Sequence, residues 1–152
     1  MKKETMDRYR PDITKILGTE KWKLIEGQYS PPCGKCKNST GGNYYLDIVD
    51  DKGITQIRAA QFTLIQMVNC CGIMVSTVAR VDEEYRHRGL GTLLNKLRMD
   101  IARDLGYTIL LCTDIIKNEY QRKILAKNKW EDIFKFVNKK TNNEIAISVI
   151  KL

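Results

Sequence analysis

The stretch Arg86-His87-Arg88-Gly89-Leu90-Gly91-Thr92 sets two glycines one residue apart, between an apolar run ending at Val81 and a leucine-rich segment opening at Leu90. Where a strand becomes a helix, glycines so placed let several backbone N–H groups converge at the helix N-terminus. A pyrophosphate suits such a nest, helped by the helix dipole and here by Arg86 and Arg88. The plainer reading is a strand-to-helix turn that needs glycine for backbone reasons alone. A P-loop is excluded, because no Gly-Lys-Ser/Thr follows. A dinucleotide-binding fingerprint is a nearer rival, with Asp114 near the distance of a ribose-binding acid. Its third glycine position, however, is Leu94.

Other residue types offer less. Cys33-x-x-Cys36 has zinc-knuckle spacing, and Cys70 and Cys71 would have to complete the ligand set. Adjacent cysteines are awkward joint ligands and no second Cys-x-x-Cys exists, so the expectation is unrelated loop thiols and no metal. An odd total of five cysteines suits a reduced compartment better than a disulfide framework. His87, the only histidine, lies inside the glycine turn and reads as an exposed turn residue. Tyr29, Tyr44 and Tyr45 are either strand core or the lining of an acceptor pocket. The net charge is +8, and residues 117–140 hold eight basic side chains against three acids, or +5 of it. A solvated face is the expectation there, with guidance of an anionic or RNA-like partner as the alternative.

These residues need elements to position them. Pro11, Ile13, Ile16, Leu17 and Gly18 predict a short first helix, with Pro11 at an early position and Gly18 ending it. Trp22 to Tyr29 predicts a strand, and residues 30–43 a loop. Tyr44 to Val49, a turn at 50–53 and a β-rich stretch from Ile54 to Val81 follow. Residues 69–72 turn Phe62 to Val68 back against Ile73 to Val81 as an antiparallel hairpin. The period then changes from two to about 3.6. Leu90, Leu93, Leu94, Leu97, Ile101 and Leu105 form one stripe, predicting a helix over 90–105. Thr108 to Cys112 completes a parallel strand–helix–strand crossover. A helix over Glu119 to Lys127 and a closing hairpin of Ile133 to Val137 with Ile145 to Ile150 end the chain. The expected fold is α/β of the α+β kind, one domain over 1–152, with a mixed, mostly antiparallel sheet. No apolar run reaches the ~18 residues of a membrane span, and the charged N-terminal stretch lacks the apolar core of a secretion signal. A cytoplasmic protein is expected.

Arg-x-x-Gly-x-Gly at Arg86, Gly89 and Gly91, continued by Leu93-Leu94, resembles the acyl-CoA-binding motif of the GNAT superfamily of N-acetyltransferases. Asn118, Gln121, Ile124-Leu125 and Lys129-Trp130 stand at the offsets where the family often has an Asn, a small residue, a Leu-Tyr pair and a Gly-Phe pair. The resemblance covers Ile73 to Trp130; residues before 60 are too divergent to match.

The resemblance implies acetyl-CoA as acyl donor. Backbone groups of Ala79, Arg80 and Val81 would meet the pantetheine amides, and N–H groups of Arg86, His87, Arg88, Gly89, Leu90, Gly91 and Thr92 the pyrophosphate. Asn118 would sit near the thioester end. An acyl group would pass to an amine held at the splay between the 73–81 and 108–112 strands, with a backbone N–H of the former stabilising the thioester oxygen. Positions where relatives carry a base are Val75 and Thr77, and the position of the acidic Tyr is Leu125, so the catalytic residues are unassigned. Water, or groups among Glu26, Asp47, Asp114, Tyr44, Tyr45 and Tyr120, would move the protons. The acceptor is a small amine, a protein or an aminoacyl-tRNA. The alternatives are a non-catalytic acyl-CoA-binding or RNA/protein-binding module and a dinucleotide-dependent enzyme. Homodimers through a sheet edge are common in the family.

Overall fold

In chain order the elements are α1 (Lys3–Leu17), β1 (Trp22–Gln28), β2 (Gly41–Val49), β3 (Thr55–Gln66), β4 (Ile73–Val81), a 3₁₀ turn (Glu83–Tyr85), α2 (Leu90–Asp104), β5 (Ile109–Ile115), α3 (Glu119–Lys127), β6 (Glu131–Val137) and β7 (Glu144–Lys151). They come from a computed structural model that describes residues 2–28, 41–67 and 70–152. Tyr29, Cys33 and Cys36 lie outside those residues, and with them the expected loop over 30–40.

The strands form one seven-stranded sheet in the order β1-β2-β3-β4-β5-β7-β6. Its first four strands form an antiparallel meander, and α2 carries the chain across to β5, parallel to β4. The closing hairpin inserts β7 beside β5 and leaves β6 at the edge. A doubly wound dinucleotide fold is thereby ruled out, since β4–β5 is the one parallel pair among the described residues.

Met74, Ser76, Leu110 and Cys112 share one buried face of the central strands. α2 lies on that face and buries Leu90, Leu94, Leu97 and Ile101. Each fully buried Leu or Ile contributes about 1.5–3 kcal/mol. Leu93 and Leu105, expected on the same stripe, are only partly buried. α1 packs on α2 through Thr5, Tyr9, Ile13 and Leu17, spaced four apart on one face. The Tyr9 hydroxyl donates to Asp100 at 2.7 Å and that of Thr5 to Asp104 at 2.6 Å.

The helix therefore begins eight residues before Pro11, which sits in its interior instead of near its start. An interior proline costs about 3 kcal/mol in an isolated helix. Here it falls on the exposed side with the carbonyl of Asp7, which water can serve, while the opposite side is buried. A second correction concerns residues 41–43, expected in a loop but found in β2. A Cβ on Gly41 would lie 2.1 Å from the Leu64 carbonyl oxygen, and one on Gly42 2.3 Å from that of Gly27. These glycines permit close strand approach and do not mark a turn. β5 also runs on to Ile115, past the expected end at Cys112.

Candidate functional site

β4 and β5 pair from Ile73↔Ile109 to Ser76↔Cys112 and then separate. Beyond that point, among the described residues, β4 is bonded only to β3 and β5 only to β7. The separation coincides with a bulge: Phe62 faces Ala79 and Thr63 faces Thr77, so Val78 has no cross-strand partner. Val78 has φ 34° and is 57% exposed. A β-branched residue held there is strained by about 1–3 kcal/mol. No glycine marks the bulge, so nothing in the residue types signals it.

A cavity of 580 Å³ opens between the end of β4, the glycine turn and the start of α3. It gathers most of the residues picked out by the motif: Ala79, Arg80 and Val81 from β4, Arg86, His87, Gly89, Gly91 and Thr92 from the turn and helix start, and Asn118. Tyr120, Lys123 and Ile124 of α3 complete the wall. Two expected residues are placed differently. Leu90 turns its side chain into the core at 1% exposure, leaving only backbone to face the turn. Arg88 does not line the cavity; its guanidinium lies 5.6 Å from the Tyr85 ring.

The two glycines have separate tasks. Gly89 takes φ 88°, and nothing lies within 4 Å of where its Cβ would be, so its need is purely conformational. Gly91 brings α3 close: its Cβ would stand 3.2 Å from Ile124 Cδ1. No side chain caps α2. Its first intrahelical bond is Leu93 N–H to Gly89 O at 3.1 Å, so the N–H groups of Leu90, Gly91 and Thr92 have no carbonyl within the helix. Arg86 is held beside them, donating through Nε to Val81 O at 3.1 Å and through Nη1 to Glu83 at 3.2 Å. His87, at φ 60°, is exposed and meets the Tyr120 ring edge-on at 5.0 Å.

Asn118 caps α3, its side-chain oxygen accepting from Gln121 N–H at 3.2 Å, which leaves its amide N–H₂ for other partners. It also borders a 240 Å³ cavity at the strand separation, with Ser76, Thr77 and Val78 on one side, Cys112 to Ile115 on the other, and Arg98 and Gln121. Arg98 is the residue that motif reasoning missed. The available signal was its spacing: four after Leu94 and three before Ile101, on the apolar stripe. Its Nη1 donates to Ser76 Oγ at 3.0 Å, while its Nε and the Nδ2 of Asn95 are buried without partners among the described residues. Burial lowers the Arg98 pKa from its ordinary value. Burial also pushes the Cys112 thiol up to about 12, against the opposing effect of Arg98.

The other proton-transfer candidates are committed elsewhere. Asp114 accepts from Arg122 at 3.2 Å and shares the Ser148 hydroxyl, at 3.2 Å, with Asp132, at 2.9 Å, and Arg122 also grips Asp132 at 2.8 and 2.6 Å. Hydrogen bonding to Arg122 holds the Asp132 carboxyl below the usual carboxylate range. Asp47 is fully buried against Arg58 and Thr55. Tyr44 is core, stacked on Phe62 at 4.9 Å and donating to Glu26 at 3.0 Å. Tyr45 lies under Arg58, 3.9 Å from its ring. Tyr120 alone of that group reaches the larger cavity. Leu125 is 2% exposed.

In the basic late segment, Arg122 and Lys135 pair with Asp132 and Lys123 with Glu119. The described residues contain no cluster of metal-binding side chains. Cys70 and Cys112 are free, whereas Cys71 is disulfide-bonded, against the expectation of unpaired thiols.

No protein-family model and no curated protein matches the chain. Solved structures do. A GNAT family acetyltransferase from Elizabethkingia anophelis, determined with acetyl-CoA bound, superimposes with a TM-score of 0.62 at 10% identity, over 88% of this chain and 100% of the other. The NatC complex bound to Gag peptide and CoA gives 0.61 at 13% identity over 72% and 70%. The spermidine/spermine N-acetyltransferase SpeG from Vibrio cholerae gives 0.59 at 9% over 76% and 69%. The chain has the GNAT acetyltransferase fold. Its GNAT architecture consists of the mostly antiparallel sheet, the β4-α2-β5 crossover and the parting of β4 from β5. Among the described residues, no helix of this GNAT fold is long and apolar enough to cross a membrane.

Proposed function

We propose that the protein is an N-acyltransferase that moves an acetyl group from acetyl-CoA to an amine. The observation that carries this reading is the juxtaposition of the β4–β5 separation with the uncapped N-terminus of α2 across one cavity. The residues fit the donor chemically. A diphosphate would be met by the N–H groups at the α2 start with Arg86, and Lys123 adds a second cation to the same cavity. Backbone of β4 from Ala79 to Val81, unpaired on its β5 side, is available to secondary amides. Asn118 borders both cavities and offers its amide donors between them.

Acetyl-CoA supplies an activated acyl carbon. The chain supplies position, and backbone N–H groups at the Val78 bulge to face a developing oxyanion. An alkyl amine has a pKa near 10.4, so it must shed a proton. Val75 and Thr77 cannot take that proton, and Asp114 is already bonded to Arg122 and Ser148. Water in the cavity is the acceptor of that proton in this reading.

Acetyl-CoA is expected to raise the melting temperature, and Gly91→Leu, which fills the approach to Ile124, to abolish the rise. Incubating a cell extract with isotopically labelled acetyl-CoA and the protein should transfer label to an amine identifiable by mass spectrometry. The absence of any thermal shift at millimolar acetyl-CoA would overturn the proposal. A shift without label transfer to amines, peptides or charged tRNA would instead favour a binding module.

A further inference from the structure

The apolar stripe of α2 carries a guanidinium into the core at position 98, where Arg98 is only 3% exposed. Among the described residues its sole hydrogen bond is Nη1 to Ser76 Oγ at 3.0 Å, and no carboxylate pairs with it. The Trp130 ring lies 5.5 Å away. Burying a cation without a counter-charge is expensive and is tolerated where something else supplies the charge. Asp114, which lines the same cavity, is held by Arg122 and Ser148. Arg98 borders two cavities that flank the β4–β5 separation, in company with Ala79, Asn118 and Gln121. The open space beside the Arg98 guanidinium lies at the separation itself.

We propose that Arg98 is a catalytic residue that receives the thiolate leaving group of the acyl donor. This rests on the acyl-transfer reading above. The amine lone pair forms the N–C bond to the acyl carbon and the C–S bond breaks. The bonding pair stays on sulfur, and the proton lost by the amine passes to water. Arg98 stabilises the thiolate through charge-assisted N–H donors without giving up a proton; water protonates the sulfur after release. Leu125 offers no hydroxyl for that task, and Arg98 takes it over from the neighbouring helix.

The test compares CoA with desulfo-CoA by calorimetry from about pH 7 to about pH 9, where alkyl thiols ionise. The charged and titratable groups around Arg98 are Cys112 and Asp114 on β5, Arg80 on β4, Tyr120 and Arg122 on α3 and Asp132 on β6. They act on both ligands alike, so the ratio of affinities isolates the sulfur. Binding to Arg98 lowers the thiol pKa in the complex, so the preference for CoA grows with pH until the free thiol ionises too. Wild type should favour CoA by roughly ten- to hundredfold at the upper end. R98Q should erase that preference while binding desulfo-CoA within about twofold of wild type, and R98K should keep part of it.

Equal binding of the two ligands by wild type at all pH values would overturn the proposal even if R98Q did not fold. Retention of the preference in R98Q would also overturn it. So would an Arg98-dependent preference for succinyl-CoA over acetyl-CoA, which would make the partner a ground-state carboxylate. Failure of both ligands to bind would remove the acyl-transfer reading itself.

Discussion

Replacing the two turn glycines by alanine, one at a time, should give different results, because the structure assigns them different roles. Gly89 has φ 88° and open space around its missing Cβ. Alanine there meets no atom, so its whole cost is that of a left-handed L-residue, about 1–2 kcal/mol. At about 2–4 °C per kcal/mol for a chain of this size, the melting temperature should fall by about 2–8 °C. Gly91 is helical, outside the left-handed region. Alanine gains up to about 1 kcal/mol of helix propensity and meets the mobile end of Ile124 at 3.2 Å. The two effects oppose, and the melting temperature should move by no more than about 4 °C. Gly89→Asn should recover part of the Gly89→Ala loss, since Asn tolerates left-handed backbone. Differential scanning fluorimetry with and without acetyl-CoA reads both stability and binding. A donor present at a hundred times its Kd adds about 2.7 kcal/mol. That increment should shrink in Gly89→Ala, because strain at this position disfavours the backbone conformation that forms the nest. A melting temperature for Gly89→Ala equal to wild type would refute the assigned conformation. A fall in Gly91→Ala larger than in Gly89→Ala would refute the division of roles.

Further outcomes follow from the packing. Arg122→Met should cost about 1.5–3 kcal/mol near neutral pH, since it strips charge-assisted bonds from Asp132 and Asp114. Asp132 is depressed in the folded state, so its contribution is complete above the ordinary carboxylate pKa of about 3.9 and lost as pH falls through the folded value; the gap between wild type and variant should therefore close in acid denaturation scans. With its thiol at about 12 and 2% exposure, Cys112 should resist alkylation at about pH 8 while Cys70 reacts, as peptide mapping would show. Asn118→Ala should lower stability by about 1 kcal/mol through the lost cap, a loss measurable in urea.

The hairpin, the crossover helix and β7 were legible because each buries a regular face, with period two along Ile73–Thr77 and about 3.6 along Leu90–Ile101, while β6, exposed throughout, was legible from its run of apolar residues and the polar turn that follows it. The glycine turn was legible because Gly89 supplies left-handed backbone and Gly91 the close approach of α3, two needs that glycine alone meets at such a junction. Three features were not. Pro11 reads as a helix start, yet contacts from Thr5 to Asp104 and Tyr9 to Asp100 hold the turns of α1 before it, and the buried Ile13 and Leu17 hold the turns after it. Gly41 and Gly42 read as loop because their reason is another strand's carbonyl, which local sequence does not contain. The bulge at Val78 runs against residue preference altogether, and only the register between β3 and β4 reveals it. Arg98 lay in plain view, an ionic side chain at core spacing, and what distinguishes it is the lack of a carboxylate partner among the described residues.

The parting of β4 from β5 also bears on how the protein behaves in solution. A sheet ordinarily exposes unpaired backbone only at its two outer strands, but here the divergence after Ser76 and Cys112 creates two more edges in the middle. Free edges are templates for foreign strands and for self-association. Whatever fills this seam therefore acts as a surrogate strand. Occupying the seam is expected to suppress strand-to-strand self-association, which light scattering with and without acetyl-CoA would read.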